Sequence, residues 1–263
     1  MKPQRLPCRV VLGDLDYVAD SGLIRRNFSE PWSVWETLTH EAFSTAVSDG
    51  YRYISLYARG KGMTETEVLL RLMTIANEYP DISVLLHHFD HQAVVPALQT
   101  GRGRVLLSYV SGESWMRSDI AALLTQYQPQ LVVQPINDAG IPATAEERLE
   151  IVEDLYQMFE PAGLLRENVF VDALSPSLGV LPFPLQVSVD TVTLATAHGF
   201  SSIAWPANAG LGHGDQAETV AAVFASALVQ AGLSMAVVSS KQTLLLNSID
   251  ISNRIIGSSA DEI

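Results

Sequence analysis

Asp172 closes the apolar run Val169-Phe170-Val171 and precedes a proline-containing loop. A carboxylate so placed can accept two hydrogen bonds from an amidine-like pair of N–H groups on a flat ring, which binds and orients it at once. It could equally cap a helix or hold a loop through an ion pair. Asn208, within Pro206-Ala207-Asn208-Ala209-Gly210, can donate to a developing lone pair without bringing charge. It could also close an Asx-turn. His87-His88-Phe89-Asp90-His91 offers imidazoles and a carboxylate, the usual ligands of a metal ion. Successive side chains of an extended chain point to opposite sides, so only alternate residues there could share one ion. These histidines could instead pack, or cap the next helix.

Other polar residues also fall just beyond short apolar runs: Asp14 and Asp16, Tyr57 and Arg59, Ser108, and Gln134 with Asn137 and Asp138. The set is rich in amides, carboxylates and imidazoles and poor in cations. It suits a flat heterocycle with both donors and acceptors better than a phosphate. A metal held by His87, Asp90 or His91 with Asp172 would instead point to a hydrolase. The chain carries no nucleophile elbow, no P-loop and no cysteine–histidine ligand set.

The apolar runs alternate with helix-period runs from end to end. The strand candidates are Val10–Gly13, Tyr53–Tyr57, Ser83–His87, Val105–Ser108, Leu131–Gln134, Val169–Asp172, Ser202–Trp205 and Met235–Val238. A helix is expected from Trp32 to Val47, its apolar face made of Trp35, Leu38, Ala42 and Ala46. Others are expected from Gln92 to about Thr100, from Ser114 to Tyr127, up to about His198, and from about Gln216 to Gln230. Thr64 with Glu67, and Thr144 with Glu147, have the spacing of capping boxes. After Thr144, the residues Leu149, Ile151, Val152, Leu155 and Phe159 make one apolar stripe. The last helix carries Leu244, Leu245, Ile249, Ile251 and Ile255. Eight continuous apolar strands, each followed by a helix, predict a parallel sheet covered on both faces. The expected fold is a single (β/α)8 TIM barrel over residues 1–263, with 258–263 as a frayed tail and the site at the C-terminal ends of the strands. A doubly wound sheet fits less well, because Gly13-Asp14-Leu15-Asp16 is not a phosphate-binding glycine fingerprint. Asp14 to Pro31 reads as a loop long enough to cover the barrel mouth.

Acids outnumber bases by 29 to 16, and the net charge of −13 argues against nucleic acid or an anionic membrane as partner. Apolar residues make up 48% of the chain, enough for a large core without cross-links. No apolar run of membrane-spanning length occurs, and the N-terminus has no signal-peptide core. The lone cysteine, Cys8, fits a reducing cytoplasm and reads as a small buried apolar residue.

Between Gln134 and Asp172 a set of residues recurs in a recognisable order: Asn137, then Gly140-Ile141-Pro142, then Thr144 with Arg148, then Val171-Asp172. This order resembles the pterin-binding barrel of methyltetrahydrofolate:corrinoid methyltransferases, relatives of dihydropteroate synthase. Ala207-Asn208-Ala209-Gly210 stands where that family has its loop after strand seven. Gly232 to Gly257 is similar to its last β/α unit. The resemblance implies a barrel that binds tetrahydrofolate or methyltetrahydrofolate, with Asp172 holding the pterin ring and Asn208 acting at N5. Asn137, Ser108, His87, Gln134 and Asp14 would complete the pocket. It further implies a homodimer and a cobalamin (corrinoid) cofactor carried by a partner protein. The first half departs from the family. His87 replaces an acidic residue after strand three, Ser108 an asparagine after strand four, and Ser55 and Tyr57 stand at the strand-two positions. Ser239-Ser240-Lys241 only faintly echoes the serine-arginine-lysine run of dihydropteroate synthases. Two functions follow: methyl transfer between tetrahydrofolate and a corrinoid, or a repurposed, non-catalytic heterocycle-binding barrel serving as a partner subunit.

Overall fold

The structure is a computed structural model that describes residues 7–18, 32–59, 65–87, 93–101, 103–116, 120–176 and 183–257. Eight parallel strands close into a barrel in sequence order: β1 (Arg9–Val18), β2 (Tyr53–Arg59), β3 (Ser83–His87), β4 (Val105–Ser111), β5 (Gln130–Gln134), β6 (Val169–Asp172), β7 (Ser201–Ala204) and β8 (Met235–Val238). The helices that return the chain are α1 (Trp32–Ser48), α2 (Glu65–Ala76), α3 (Val95–Gly101), α4 (Ile120–Tyr127), α5 (Ala145–Phe159), α6 (Pro184–Ala197), α7 (Ala217–Ala231) and α8 (Thr243–Gly257). The single (β/α)8 barrel expected from the alternation is therefore the fold of this chain.

Each strand is apolar on both sides because both sides are covered. Outward residues such as Leu12, Ile54, Leu86, Leu107, Val133 and Val171 pack beneath the helices. Inward residues fill the barrel itself: Val11, Leu85, Leu106, Val132, Phe170, Ile203 and Met235 form one interior cluster. Side chains alternate along a strand, so the residues two positions on face the same interior, one layer nearer the C-terminal mouth. That layer comprises Gly13, His87, Ser108, Gln134, Asp172 and Trp205. The fold thus carries polar side chains onto the floor of the mouth from adjacent strands.

Several elements differ from their sequence-based expectation. β1 does not end at Gly13. A bulge between Leu12 and Leu15 lets pairing resume, and β1 stays bonded to β2 through Val18. Asp14 to Val18 are thus strand rather than loop, and the rest of the expected cover lies outside the described residues. In α1 the buried face is Thr39, Phe43 and Ala46, an i, i+4, i+7 stripe, while Leu38 is exposed. The stretch from Ser114 to Tyr127 splits into a 3-10 turn at Ser114–Met116 and the shorter α4. In α8 only Leu245, Ile249 and Ser252 are buried, and Leu244, Ile251 and Ile255 face outward. The Thr144–Glu147 capping box forms as expected. Thr64, and with it the first expected box, lies outside the described residues, as does 258–263. Among the described residues no helix is long and apolar enough to cross a membrane.

Candidate functional site

Asp172 is the last residue of β6, and its side chain is buried. Val133 pairs with Val171, so the next residues, Gln134 and Asp172, sit side by side at the strand ends. The Gln134 side chain donates a hydrogen bond to the carboxylate, which also accepts the N–H of Leu174 at 2.8 Å. Burial pushes the Asp172 carboxyl up to about 6. The two hydrogen bonds and the nearby Arg148 guanidinium pull the other way without cancelling it.

Arg148 lies behind this pair. It is the largest fully buried side chain among the described residues and projects from the first turn of α5. Its Nη1 donates to Ala173 O at 3.1 Å and to Thr191 Oγ1 at 3.3 Å, and its Nε donates to Pro142 O at 3.3 Å. One side chain thereby fastens the loop after β5, the loop after β6 and α6 together. Burial lowers its pKa, and the Asp172 carboxylate opposes that shift. The sequence placed Arg148 in a motif but gave it no role. An arginine four residues after a helix cap is usually solvated, and only the fold buries this one.

The other half of the floor is aromatic. His87, at the end of β3, is buried, and its ring meets Tyr109 edge-on at 5.5 Å and Trp205 edge-on at 5.2 Å. β3 and β7 stand on opposite sides of the barrel, so the His87–Trp205 contact spans the lumen and closes it. Burial lowers the His87 pKa to about 3, which keeps the ring neutral. Ser108 is fully buried, and its Oγ has no hydrogen-bond partner among the described residues. It sits at a bulge, where Ser108 and Tyr109 together oppose Val132 of β5 and Tyr109 takes φ 62°. Leu174, two residues after Asp172, also has positive φ, at 50°. Non-glycine residues held in this region are strained, and such strain concentrates at functional sites. Neither Tyr109 nor Trp205 was singled out from sequence. Their signal was their place, one residue past Ser108 and two past the inward Ile203.

The loops bring the remaining candidates to the rim. Asn137 is half-buried and closes its own turn: its Oδ1 accepts Ala139 N–H at 2.9 Å, and its backbone bonds Gly140 in both directions. Asp138 accepts the N–H and Oγ of Ser114, tying the loop after β4 to that after β5. Gly112 makes this possible, since a Cβ there would lie 2.8 Å from Ile136 O. Asn208 lies in a 3-10 turn after β7 (Pro206–Gly210), with its side chain exposed. The structure thus joins Gln134 to Asp172 directly and sets His87 and Ser108 on the same floor. It leaves Asn137 and Asn208 on the surrounding loops. The backbone of Asp14 lies in the β1 bulge, and its side chain is outside the described set, as are His88, Asp90 and His91. Among the described residues no three His, Cys, Asp or Glu side chains group as metal ligands would.

No family model matches the chain, and no curated protein does. Solved structures do match over nearly the whole length. A 7,8-dihydropteroate synthase from Vibrio fischeri is similar with a TM-score of 0.71 at 10% identity, covering 96% of this chain and 94% of that one. Dihydropteroate synthase from Clostridium difficile, in the presence of pteroic acid, gives 0.69 at 13%, covering 98% and 100%. Dihydropteroate synthase from Xanthomonas albilineans, in complex with 7,8-dihydropteroate, gives 0.68 at 13%, covering 96% and 95%. The chain therefore shares the barrel fold of the dihydropteroate synthases, at identities that speak for the fold alone.

Proposed function

We propose that this barrel binds a pterin-type heterocycle at its C-terminal mouth and moves a methyl group between N5 of tetrahydrofolate and a corrinoid on a partner protein. The observation that carries the proposal is the buried Asp172 carboxylate with the half-buried Gln134 side chain beside it. A carboxylate with an amide beside it presents acceptors and a donor side by side, the complement of the donors and acceptors on the ring edge of a pterin. The dihydropteroate synthases, one of them in complex with 7,8-dihydropteroate, lend support through their shared fold.

A methyl on a tertiary amine is a poor electrophile, because the amine leaves badly. A donor that strengthens its bond to N5 as the C–N bond breaks favours the transition state over the ground state. Asn208 is the residue assigned that task. It stands on the rim beside the exposed Leu211, where a docked partner would meet the ligand. When bound, the corrinoid supplies a nucleophilic cobalt(I) centre. The reading also includes a homodimer, for which Leu244, Ile251 and Ile255 of α8 offer an exposed apolar face, and a cytoplasmic setting.

A second reading rests on His87 and Trp205. Their contact closes the half of the floor where the resembling family is polar, and this favours a repurposed barrel that binds a heterocycle without methyl transfer. Calorimetric titration with methyltetrahydrofolate, beside an Asp172→Asn control, tests the site. Micromolar binding that the control loses supports a pterin pocket, and absence of binding overturns it. Asn208→Ala then separates the two readings. Methyl transfer to cobalamin that falls far more than folate affinity supports the catalytic one.

A further inference from the structure

Barrel enzymes often hold phosphate where the loops after strands seven and eight meet a helix N-terminus. The first turn of a helix has N–H groups without partners and carries the positive end of the helix dipole. In this chain the corresponding place is the start of α8, at Thr243, five residues after the end of β8. Its first turn is already occupied. One carboxylate oxygen of Glu218, from the first turn of α7, accepts the N–H of Leu244 at 2.8 Å and that of Leu245 at 3.3 Å. The approach to α8 is closed in the same way. Ser239 N–H donates to Gln242 Oε1 at 3.1 Å, Lys241 N–H to Ser239 Oγ at 3.3 Å, and Gln242 N–H to Ser239 O at 3.0 Å.

We infer that Glu218 is a built-in anion that fills the α8 N-terminus and makes this barrel selective for a ligand carrying no phosphate or diphosphate there. The carboxylate lies in the first turns of two helices at once, where both dipoles favour negative charge. An incoming phosphate would have to displace it and leave Glu218 beside a second anion. Repulsion between them would then oppose binding in a chain whose net charge is already −13. This deepens the proposed function, on which it rests: the heterocycle enters as the unphosphorylated compound, as a methyl donor or acceptor does. It adds a specificity residue outside the floor of the mouth.

The test uses inorganic ions alone, so its outcome is separable from that of the pterin titration. Phosphate and pyrophosphate are titrated into the parent chain and into Glu218→Ala, with calorimetry and amide NMR as readouts. The expected result is no saturable binding to the parent, with the Leu244 and Leu245 amide signals unmoved. Glu218→Ala should gain at least tenfold in pyrophosphate affinity, and that gain should weaken as salt is raised. A parent chain whose Leu244 and Leu245 amides shift saturably with pyrophosphate overturns the inference, whether or not the variant folds. A folded Glu218→Ala that gains no affinity also overturns it.

Discussion

The side chain of Gln134 donates to the carboxylate of Asp172, its neighbour across β5 and β6, yet burial still holds that carboxyl up at about 6. The native carboxyl keeps its proton up to about pH 6, whereas the unfolded one releases it near the ordinary 3.8. The native state therefore binds more protons between these values, and stability falls as pH rises through that window. Asp172→Asn keeps an acceptor for the Leu174 N–H and removes the buried charge. It should be more stable than the parent by about 1–3 kcal/mol at about pH 7.5, with the gain gone near pH 3.5. Urea unfolding at the two pH values measures this. On the proposed function the same substitution should also abolish heterocycle binding.

His87 runs in the opposite sense. Its ring is held neutral, with its pKa lowered from 6.5 to about 3. The unfolded chain takes up this proton below about pH 6.5 and the native chain does not, so stability is lost as pH falls through that range. The ring C–H signals of His87 should stay flat in NMR from about pH 8 to pH 4.5. His87→Leu should flatten the acid side of the stability profile. A ring that titrates near its ordinary value would mean that the contacts with Tyr109 and Trp205 are not kept in solution.

Arg148→Met should destabilise the fold by about 1–3 kcal/mol, because it leaves the carbonyls of Pro142 and Ala173 without a donor. The titration of Asp172 should move further up in this variant, since the Arg148 charge now lowers it. Arg148→Lys should not restore the parent, because one ammonium cannot reach partners on three elements. Chemical unfolding and carboxyl-resolved NMR read the two effects.

Cys8 and Asn253 exchange two hydrogen bonds of 2.9 Å, Cys8 N–H to Asn253 Oδ1 and Asn253 Nδ2 to Cys8 O, which tie the approach to β1 onto α8. Burial pushes the Cys8 thiol up to about 12. The folded chain should therefore resist thiol reagents at neutral pH. Asn253→Ala removes both bonds, costs about 1–3 kcal/mol, and should speed labelling of Cys8 through local opening. Labelling rates in native buffer check this. Equal rates in parent and variant would show that the tie does not govern access.

Much of the fold was legible because periodicity reports burial. β3 and β8 have the predicted ends, since apolar runs bounded by turns leave little freedom. The stretch around Gln134, Asn137, Thr144 and Asp172 was legible because caps and turns are local: the Thr144–Glu147 box forms within four residues. β1 was read too short, because a bulge is decided by the partner strand. In α1 Ala46 is buried as expected but Leu38 is exposed, and of the apolar residues of α8 only Leu245 and Ile249 are buried, because an apolar side chain on a helix edge costs little when exposed and leaves no mark in the pattern.

By itself the sequence determined that this chain is a (β/α)8 barrel and that polar residues stand at its strand ends, because local alternation and capping are short-range properties of the chain. Only the tertiary structure decided what those residues do to one another. Closing the barrel set Gln134 against Asp172, buried Arg148 behind them, pressed His87 onto Trp205 across the lumen and brought Glu218 to the start of α8. Those neighbours lie tens to more than a hundred residues apart, and their charges and contacts depend on burial and proximity, which no local pattern encodes.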